Sequence, residues 1–350
     1  MKTKLYLLIY IAIVLMVSDI PNPVYVAVAP YKFNIVLWEY QNFLTQSKEQ
    51  FARNYCLGSG AELYDSAMFS QRTVSSSQRD EFIKLILKES ILNSGFDSIF
   101  PPLNFSIEKA PKILIMSPRE NIVLEKTILL TPSINIDQII DLEEEVENLT
   151  GNSILIDELG GLAVYPSIIN DNNNVVSILE TAAHEWVHHR LILTPLGRRY
   201  FGNAFMKELN ENVAQLAGNE LARKASSFIP ECNYGSDVQV TTNELKGHRE
   251  FLGLVRDDVE AMLKAGSIEQ AEKYMEDQRI ILAKSGYVLR KLNQAYYAFH
   301  GMYGDDPVAS SGIYAQLLNL RSQSQDLHSF ISLIGDVTDK ADYHSLIDNY

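Results

Sequence analysis

Two histidines four residues apart flank a glutamate in the segment His184-Glu185-Trp186-Val187-His188 of this 350-residue chain. On an α-helix four residues are a little more than one turn, about 6 Å of rise, so both imidazoles project from one face. Imidazoles placed in this way can bind a single Zn²⁺ at roughly 2.0–2.1 Å, and a neighbouring carboxylate can accept a proton from water. The segment therefore predicts a zinc-dependent hydrolytic site with Glu185 as general base.

A hydrolytic zinc site needs a third protein ligand and one position open to water. Glu211 lies 23 residues after His188, within a helix predicted over residues 205–223. If this helix runs antiparallel to the first across a short connection, Glu211 comes against the two histidines. Glu208 lies almost one turn earlier on the same face, and Glu220 is a second alternative for the third ligand.

Glu211 stands in the segment Asn-Glu-Asn-Val-Ala at 210–214. Together with the first motif, this segment resembles the gluzincin (thermolysin-like) zinc metallopeptidases, in which a Glu in an Asn-Glu-x-x-Ala context completes the metal site. The metzincin pattern is excluded, because Leu191 and Thr194 stand where it requires Gly and His. The gluzincin resemblance implies Zn²⁺ as the cofactor, Glu185 as general base, and the zinc ligands His184, His188 and Glu211.

A glycine-containing apolar run precedes the motif helix. In gluzincins an edge strand at this place aligns the peptide by main-chain pairing, and the run Gly-Gly-Leu-Ala-Val-Tyr at 160–165 occupies the matching position. The resemblance therefore implies substrate contacts from Gly161, Leu162 and Ala163, in the manner of β-addition. A plain turn between two strands is the alternative for the glycine pair.

Other features extend and limit the resemblance. The stretches 184–197, 210–217 and 292–296 also resemble an uncharacterised bacterial family of membrane-anchored, aminopeptidase-like proteins. Gln215 stands where gluzincins commonly place an Asp that holds the first histidine, and an amide adds no negative charge there. The Gly-Ala-Met-Glu-Asn signature, which binds a free amino terminus, is missing. The choice between exopeptidase and endopeptidase therefore stays open.

Peptide hydrolysis gains from a Tyr or His that donates a hydrogen bond to the developing oxyanion. In the helix predicted around residues 290–300, Asn293, Tyr296, Tyr297 and His300 share one face by three- and four-residue spacing. We predict Tyr296 as the donor, with His300 and Tyr297 as alternatives. A packed aromatic surface without a catalytic role is the competing interpretation of this cluster.

These motifs need a scaffold, and apolar periodicity predicts its elements. Helices are predicted at 33–44, 80–92, 137–149, 176–193 and 205–223. Strands are predicted at 112–116, 121–130, 153–156 and 162–165. Residues 143–145, all Glu, are expected to form a solvated helix face. The class is α+β, with a small mixed sheet packed on the motif helix and a mainly helical C-terminal half.

The chain is predicted to divide into three parts, with Pro101-Pro102 near one boundary. Residues 1–30 form a signal-anchor or membrane segment, residues 31–110 a helical N-terminal region, and residues 111–350 a gluzincin-like domain. Within that domain we expect the sheet at 111–170, the active-site helices at 175–225 and the helical C-terminal part at 240–345.

The N-terminus has the pattern of an export signal. Lys2 and Lys4 precede an uncharged apolar run over residues 5–17, which is shorter than the ~20 residues that comfortably span a bilayer. Pro30 directly follows the small-residue site at 27–29 and makes a poor cleavage context, so an uncleaved anchor is the alternative to a cleaved signal. A buried helix of a soluble protein is the third interpretation. Lysines retained in the cytoplasm would leave the rest of the chain outside.

Composition narrows the functional class. Lys and Arg total 30 against 44 Asp and Glu, a net charge of −14, which argues against a nucleic-acid partner because phosphates attract a basic surface. With 46% hydrophobic residues the chain is not a disordered one. Cys56 and Cys232 are too few for a thiolate zinc cluster, and their pairing stays open.

The sequence as a whole predicts a membrane-tethered, extracytoplasmic zinc metallopeptidase, with secretion as the alternative localisation. It would hydrolyse peptides or proteins with zinc-activated water and Glu185 as base. Two alternative hypotheses assign the protein to other functional classes. One is a catalytically inactive, zinc-containing cell-surface binding module, which Gln215 makes possible. The other is a metal-free helical scaffold in which the motif is accidental.

Overall fold

The computed structural model describes residues 22–39, 41, 76–171, 174–228, 238–302 and 312–350, and these form an α+β fold, as predicted. The helices are α1 (Pro23–Val28), α2 (Ser76–Leu92), α3 (Ile136–Thr150), α4 (Val175–Leu191), α5 (Pro195–Arg198), α6 (Ala204–Ser226), α7 (Val238–Lys264), α8 (Ile268–Lys284), α9 (Gln294–His300), α10 (Ile313–Gln323), α11 (Leu327–Gly335) and α12 (Lys340–Asp348). The strands are β1 (Phe105–Glu108), β2 (Lys112–Ser117), β3 (Lys126–Leu130), β4 (Ser153–Glu158), β5 (Gly161–Leu162) and β6 (Ser167–Asn170).

The strands form two small sheets. One sheet has the order β3-β2-β4 and is antiparallel throughout. The other has the order β1-β6-β5 and is mixed, because β1 runs parallel to β6 while β5 runs antiparallel to it. Helix α4 packs against the mixed sheet, where it contacts β5 and β6. The short strand β5 therefore lies at a sheet edge beside the motif helix.

Helix α3 packs on β4 of the antiparallel sheet. It begins with a capping box, in which Asn135 and Gln138 each accept a hydrogen bond from the backbone N–H of the other. It ends at Gly151, whose φ of 71° is the left-handed conformation that glycine adopts without strain. These local signals explain why the helix predicted at 137–149 matches the observed one to within a residue.

Helices α4 and α6 form the centre of the largest apolar cluster. Asn174 caps α4 by accepting hydrogen bonds from the backbone N–H groups of Val176 and Ser177. The helix ends at Leu191, and the side chain of Thr194 caps the short helix that follows. The two helices approach closely at Gly218, where an added Cβ would lie 2.9 Å from the Cα of His184.

Helix α2 and strand β1 share this apolar cluster with α4 and α6, although they precede the boundary predicted at residue 110. Strand β1 was not predicted, and its residues pair in register with β6, as Ile107 does with Ile169. The predicted strand at 121–130 begins only at Lys126, and the one at 162–165 ends at Leu162. Pairings between segments about sixty residues apart leave no local periodic signal.

The expected solvated face at 143–145 is wrong for Glu143, which is 3% exposed, whereas Glu144 and Glu145 are exposed. The Glu143 carboxylate accepts two hydrogen bonds from Arg290, at 2.6 and 2.8 Å, and one from the backbone N–H of Ile156 at 2.5 Å. The burial of this charge is possible because its cationic partner comes from a distant part of the chain.

The N-terminal part of the described chain is built into the fold. Helix α1 packs on α3, and its residues Val24 and Val28 are buried with Leu114 and Leu130 of the antiparallel sheet. The described residues contain no helix that is long and apolar enough to cross a membrane. The apolar run at 5–17, Cys56 and Cys232 lie outside the described residues.

Candidate metal centre

The structure brings together the side chains of His184, His188 and Glu211 from α4 and α6. The Nε2 atoms of the two histidines are 2.9 Å apart. Glu211 Oε2 lies 3.5 Å from His184 Nε2 and 3.4 Å from His188 Nε2. One ligand atom from each of the three residues lies within 4.8 Å of the other two, so this group could hold a metal ion. Of the three carboxylates considered from sequence, Glu211 is the one in this group, whereas Glu220 is paired with Arg321.

The spacing of these atoms fits a small divalent cation. Ligands at 2.0–2.1 Å from a tetrahedral zinc are separated from one another by about 3.3–3.4 Å, close to the observed 2.9, 3.4 and 3.5 Å. Two imidazole nitrogens and one carboxylate oxygen are also a ligand set of catalytic zinc sites, where the fourth position is left for water or substrate. The residues present therefore fit a three-ligand metal site.

Two further side chains hold the ligands in place. Asn210 is buried, and its Oδ1 lies 2.8 Å from His188 Nδ1. This contact places the ring proton on Nδ1 and leaves Nε2 free to bind a metal. The Tyr200 hydroxyl donates a hydrogen bond to Glu211 Oε1, so that Oε2 is the oxygen turned toward the histidines.

Neither Asn210 nor Tyr200 was assigned a role from sequence. Asn210 directly precedes Glu211. Its position as the first residue of the Asn-Glu-x-x-Ala segment is the sequence feature that could have identified it. Tyr200 lies in the connection between α5 and α6, and nothing in the local sequence pattern points to it. Gln215, predicted to replace the customary Asp, donates to Asn219 Oδ1 at 3.2 Å.

The predicted base, Glu185, is 6% exposed and lies against strand β5. A Cβ added at Gly161 would be 2.5 Å from Glu185 Oε1 and 2.6 Å from Thr181 Cγ2. Glycine at 161 therefore lets the edge strand approach the carboxylate directly. The contact brings the predicted base and the predicted substrate-binding strand to one place beside the metal ligands.

Two of the predicted substrate-binding residues form that edge strand. Gly161 pairs with Ile169 and Leu162 with Ile168 of β6. Ala163 lies just beyond the strand, and two residues further on the ring of Tyr165 lies 5.8 Å from that of His189 on α4.

The electrostatics of the cluster are strongly coupled. Burial acts to raise the pKa of Glu211, but the charge of His188 and hydrogen bonds from both histidines hold it well below the usual carboxyl range. Burial acts to lower the pKa of His188, but the charge and the hydrogen bond of Glu211 outweigh the effect of burial and raise this pKa to about 9. Burial raises the pKa of Glu185, and the histidine charges oppose this rise. Protons and a metal ion therefore compete for the same atoms.

The predicted oxyanion donors lie on α9, which packs against β2 and β4. The ring of Tyr296 lies 4.3 Å from that of His300, and His300 Nε2 is 3.0 Å from Asp157 Oδ2 of β4. Tyr297 is fully buried, and burial raises the pKa of its hydroxyl. Tyr200, whose hydroxyl contacts Glu211, adds a further tyrosine as a candidate donor.

Comparison with protein-family models, with curated proteins and with solved structures finds no match to this chain. The geometry of the site is therefore what bears on the function of this chain. That geometry is suited to binding a metal ion with three protein ligands, beside a buried carboxylate and a half-buried edge strand.

Proposed function

We propose that this protein is a zinc metallopeptidase whose metal is held by His184, His188 and Glu211. The observation that carries the proposal is the convergence of three ligand atoms at tetrahedral spacing with the buried carboxylate of Glu185. A structural zinc site commonly uses four protein ligands, whereas a catalytic one uses three. Among the described residues the group has three members, which favours a catalytic role.

Each residue then has a definite task. When bound, zinc lowers the pKa of water and polarises a carbonyl group. Glu185 accepts the proton of the attacking water and delivers it to the leaving amine. Burial raises the pKa of Glu185, the direction that helps a base to return its proton to the leaving group. The edge strand at Gly161 and Leu162 pairs with an extended peptide substrate.

The location of the protein belongs to the same proposal. Lys2 and Lys4, followed by the apolar run at 5–17, support a tether with the catalytic part outside the cytoplasm. Peptides or proteins at the cell surface are then the substrates, and the acidic net charge of −14 argues against nucleic acid as a partner.

The proposal is tested first by the metal content of the full-length chain, purified without chelator and measured by mass spectrometry. We expect one zinc ion per chain, lost in His184→Ala and in Glu211→Ala. His248→Ala is the matched control, since His248 lies on α7, where its Nε2 contacts Ser285. A metal-free wild type whose stability is unchanged by EDTA would indicate a helical scaffold with an accidental motif.

Cleavage of a diverse peptide library by the zinc-loaded chain is the second test. We expect hydrolysis that EDTA abolishes and added zinc restores. Full zinc occupancy without cleavage of any library member would instead indicate the inactive cell-surface binding module.

A further inference from the structure

The connection between α4 and α6, residues 192–203, exposes large apolar side chains to solvent. Phe201 is 94% exposed, the highest value for a large apolar residue in the described part of the chain, and Ile192 and Leu193 are exposed as well. Together with the neighbouring Arg198 and Arg199 we call these residues the connection patch. Exposed apolar side chains that cluster beside polar ones mark interaction surfaces.

The same stretch of chain is purely basic. Residues 186–207 contain Arg190, Arg198, Arg199 and Lys207 but neither Asp nor Glu, in a chain whose net charge is −14. Arg198 and Arg199 are exposed and form no ion pair with a carboxylate of the described residues. Most other described arginines do form one, namely Arg79, Arg119, Arg256, Arg279, Arg290 and Arg321. The connection patch therefore offers uncompensated positive charge next to apolar surface.

The connection is fixed on the body of the protein. Leu196 is fully buried in the apolar cluster around α4 and α6. A Cβ added at Gly197 would lie 2.1 Å from the backbone oxygen of Leu191, so this turn packs tightly on the end of α4. The Arg198 guanidinium donates to the carbonyl oxygen of Leu193 at 2.9 Å. Little conformational entropy is left to lose when such a patch binds a partner.

The connection patch lies on the same side of the protein as helix α1. The ammonium of Lys126 lies 4.2 Å from the centre of the Tyr25 ring on α1. Lys126 and Phe201 both line one cavity of about 390 Å³, so only this cavity separates the surroundings of Tyr25 from the patch. Glu125 and Glu208 line the cavity too, and the excess of positive charge therefore belongs to the patch and not to the cavity.

Helix α1 is also the described element nearest in sequence to the proposed tether. The apolar run at 5–17 ends five residues before Asn22, where the described chain begins. Five residues span at most about 18 Å. An embedded tether would thus hold the side that carries α1 and the connection patch close to the lipid headgroups.

We propose that the connection patch docks on an anionic membrane surface. Phe201, Ile192 and Leu193 enter the headgroup region, and Arg198 and Arg199 contact lipid phosphates. This combination of apolar and cationic side chains is the one that interfacial membrane-binding elements use. The inference rests on the proposed tether and is independent of the metal.

Docking in this way would place the metal centre at the bilayer. The ring of Phe201 lies 4.9 Å from that of Tyr200, whose hydroxyl donates to the metal ligand Glu211. The substrates of the proposed peptidase would then be peptide segments that lie at the membrane surface.

The test measures partition of the full-length chain onto vesicles of phosphatidylcholine alone or mixed with phosphatidylglycerol. The apolar run inserts into both, and Lys2 and Lys4 add a charge preference that every variant keeps. A net charge of −14 on its own would make anionic vesicles the poorer target. We expect at least about a tenfold preference for them at low salt, since each Lys or Arg near an anionic surface contributes about fivefold. The preference should disappear at about 1 M salt.

Substitutions connect this preference to the patch. Arg198→Gln combined with Arg199→Gln should lower the preference at least about tenfold relative to wild type. Arg223→Gln is the matched control, because Arg223 is also exposed and also lacks a carboxylate partner among the described residues, but lies in the last turn of α6. It should leave the preference unchanged. Thermal unfolding confirms that each variant is folded.

A tryptophan reporter tests insertion of the apolar side chains. We expect Phe201→Trp to be quenched by lipids brominated on their acyl chains, above the background of the two native tryptophans. Leu318→Trp is the control and should show no added quenching. Leu318 is half-exposed on α10, which the ion pair of Arg321 with Glu220 ties to α6 about 24 Å along the helix from Ala204.

The outcomes separate the patch from the tether. Equal partition onto both kinds of vesicle, or a preference that survives the double substitution, would overturn the patch and leave the tether. No partition onto either kind would overturn both. Quenching of Phe201→Trp no greater than that of Leu318→Trp would also overturn membrane docking, and is the result expected if the patch binds a protein instead. None of these measurements uses peptide cleavage, so failure of the proposed peptidase activity is detected separately.

Discussion

Carboxylates are buried in two places in the described part of the chain, and their partners differ. Glu143 on α3 is paired with two permanent cations, Arg290 at 2.6 Å and Lys291 at 3.4 Å. At the other place Glu211 faces the imidazoles of His184 and His188 at 3.4–3.5 Å. Arginine and lysine keep their charge over the whole physiological range, whereas histidine can release its proton.

On the function we propose, this difference separates a structural site from a functional one. A buried carboxylate needs a compensating charge, because desolvation of an ion costs several kcal/mol. At the Glu143 site the compensating positive charge of Arg290 and Lys291 is always present, and these ion pairs connect α3 to the segment before α9. The Glu211 site has partners that can exchange protons for a metal ion, while Glu185 adds a second buried carboxylate that only a cation would balance well.

Replacement of the proposed base should give the largest effect. Glu185→Gln removes proton transfer but keeps the three ligands, so we expect kcat to fall by about 10²–10⁴-fold with zinc content and Tm nearly unchanged. Peptide cleavage and metal content should be measured on the same preparation. Activity close to that of the wild type would show that the two buried carboxylate sites do not differ in the way we propose.

Disruption of the other site should affect stability instead. Arg290→Met leaves Glu143 partly uncompensated, and we expect the free energy of unfolding to fall by about 2–4 kcal/mol, discounted because Arg290 is about a third exposed. Urea unfolding measures this loss, and zinc content should stay the same. Lys264→Met is the control, since Lys264 is 78% exposed in its pair with Glu260 and should cost less than about 0.5 kcal/mol. Loss of zinc from folded Arg290→Met would contradict the proposal that the Glu143 site serves stability and the Glu211 site serves metal binding.

The close approach of α4 and α6 offers a finer test. Gly218→Ala would place a methyl group against the backbone of His184, so we expect a loss of about 1–3 kcal/mol together with weaker zinc binding. Gly247→Ala on α7 meets open space and should stabilise the helix by up to about 1 kcal/mol. Zinc titration of both variants is the measurement. Unchanged zinc affinity in Gly218→Ala would mean that the helix spacing does not set the ligand geometry.

The smallest effect on stability is expected from substitution of Asp157, whose side chain is 35% exposed. Burial acts to raise its pKa, but the hydrogen bond and charge of His300 outweigh this and hold it below the ordinary 3.8. A lowered folded-state pKa gives stability above pH 3.8 that is lost as the pH falls through the lowered value. We expect Asp157→Asn to cost less than about 1 kcal/mol at pH 6, and this cost to shrink as the pH falls through the lowered folded-state pKa. A difference in unfolding free energy that does not change with pH would contradict this.

The sequence predicted the residues whose signals are local. His184, Glu185 and His188 are close neighbours on one helix, and helix periodicity placed the two histidines on one face with Glu185 beside it. Glu211 followed from a second helix joined by a short connection, and the structure brings it to the same group. The helix predicted at 137–149 matches α3 to within a residue, and the structure shows the caps at Asn135 and Gly151 that end it.

The remaining features depend on contacts between distant segments. The burial of Glu143 depends on Arg290, which lies 147 residues further along the chain, so its own helix pattern could not reveal it. Strand β1 is defined by its pairing with β6. Tyr200 reaches Glu211 only because the connection between α5 and α6 folds back, and no periodic pattern describes such a connection.

The packing of helix α1 has a consequence for the maturation of the chain. Val24 and Val28 fill space between α3 and the antiparallel sheet, and Phe33 then donates a backbone hydrogen bond to Leu129 beside β3. A signal peptidase that cut after Ala29 would remove that helix from the apolar cluster it forms with Leu114 and Leu130. If the protein is exported, as we propose, this packing favours trimming before Asn22, or no trimming, over removal of the first 29 residues.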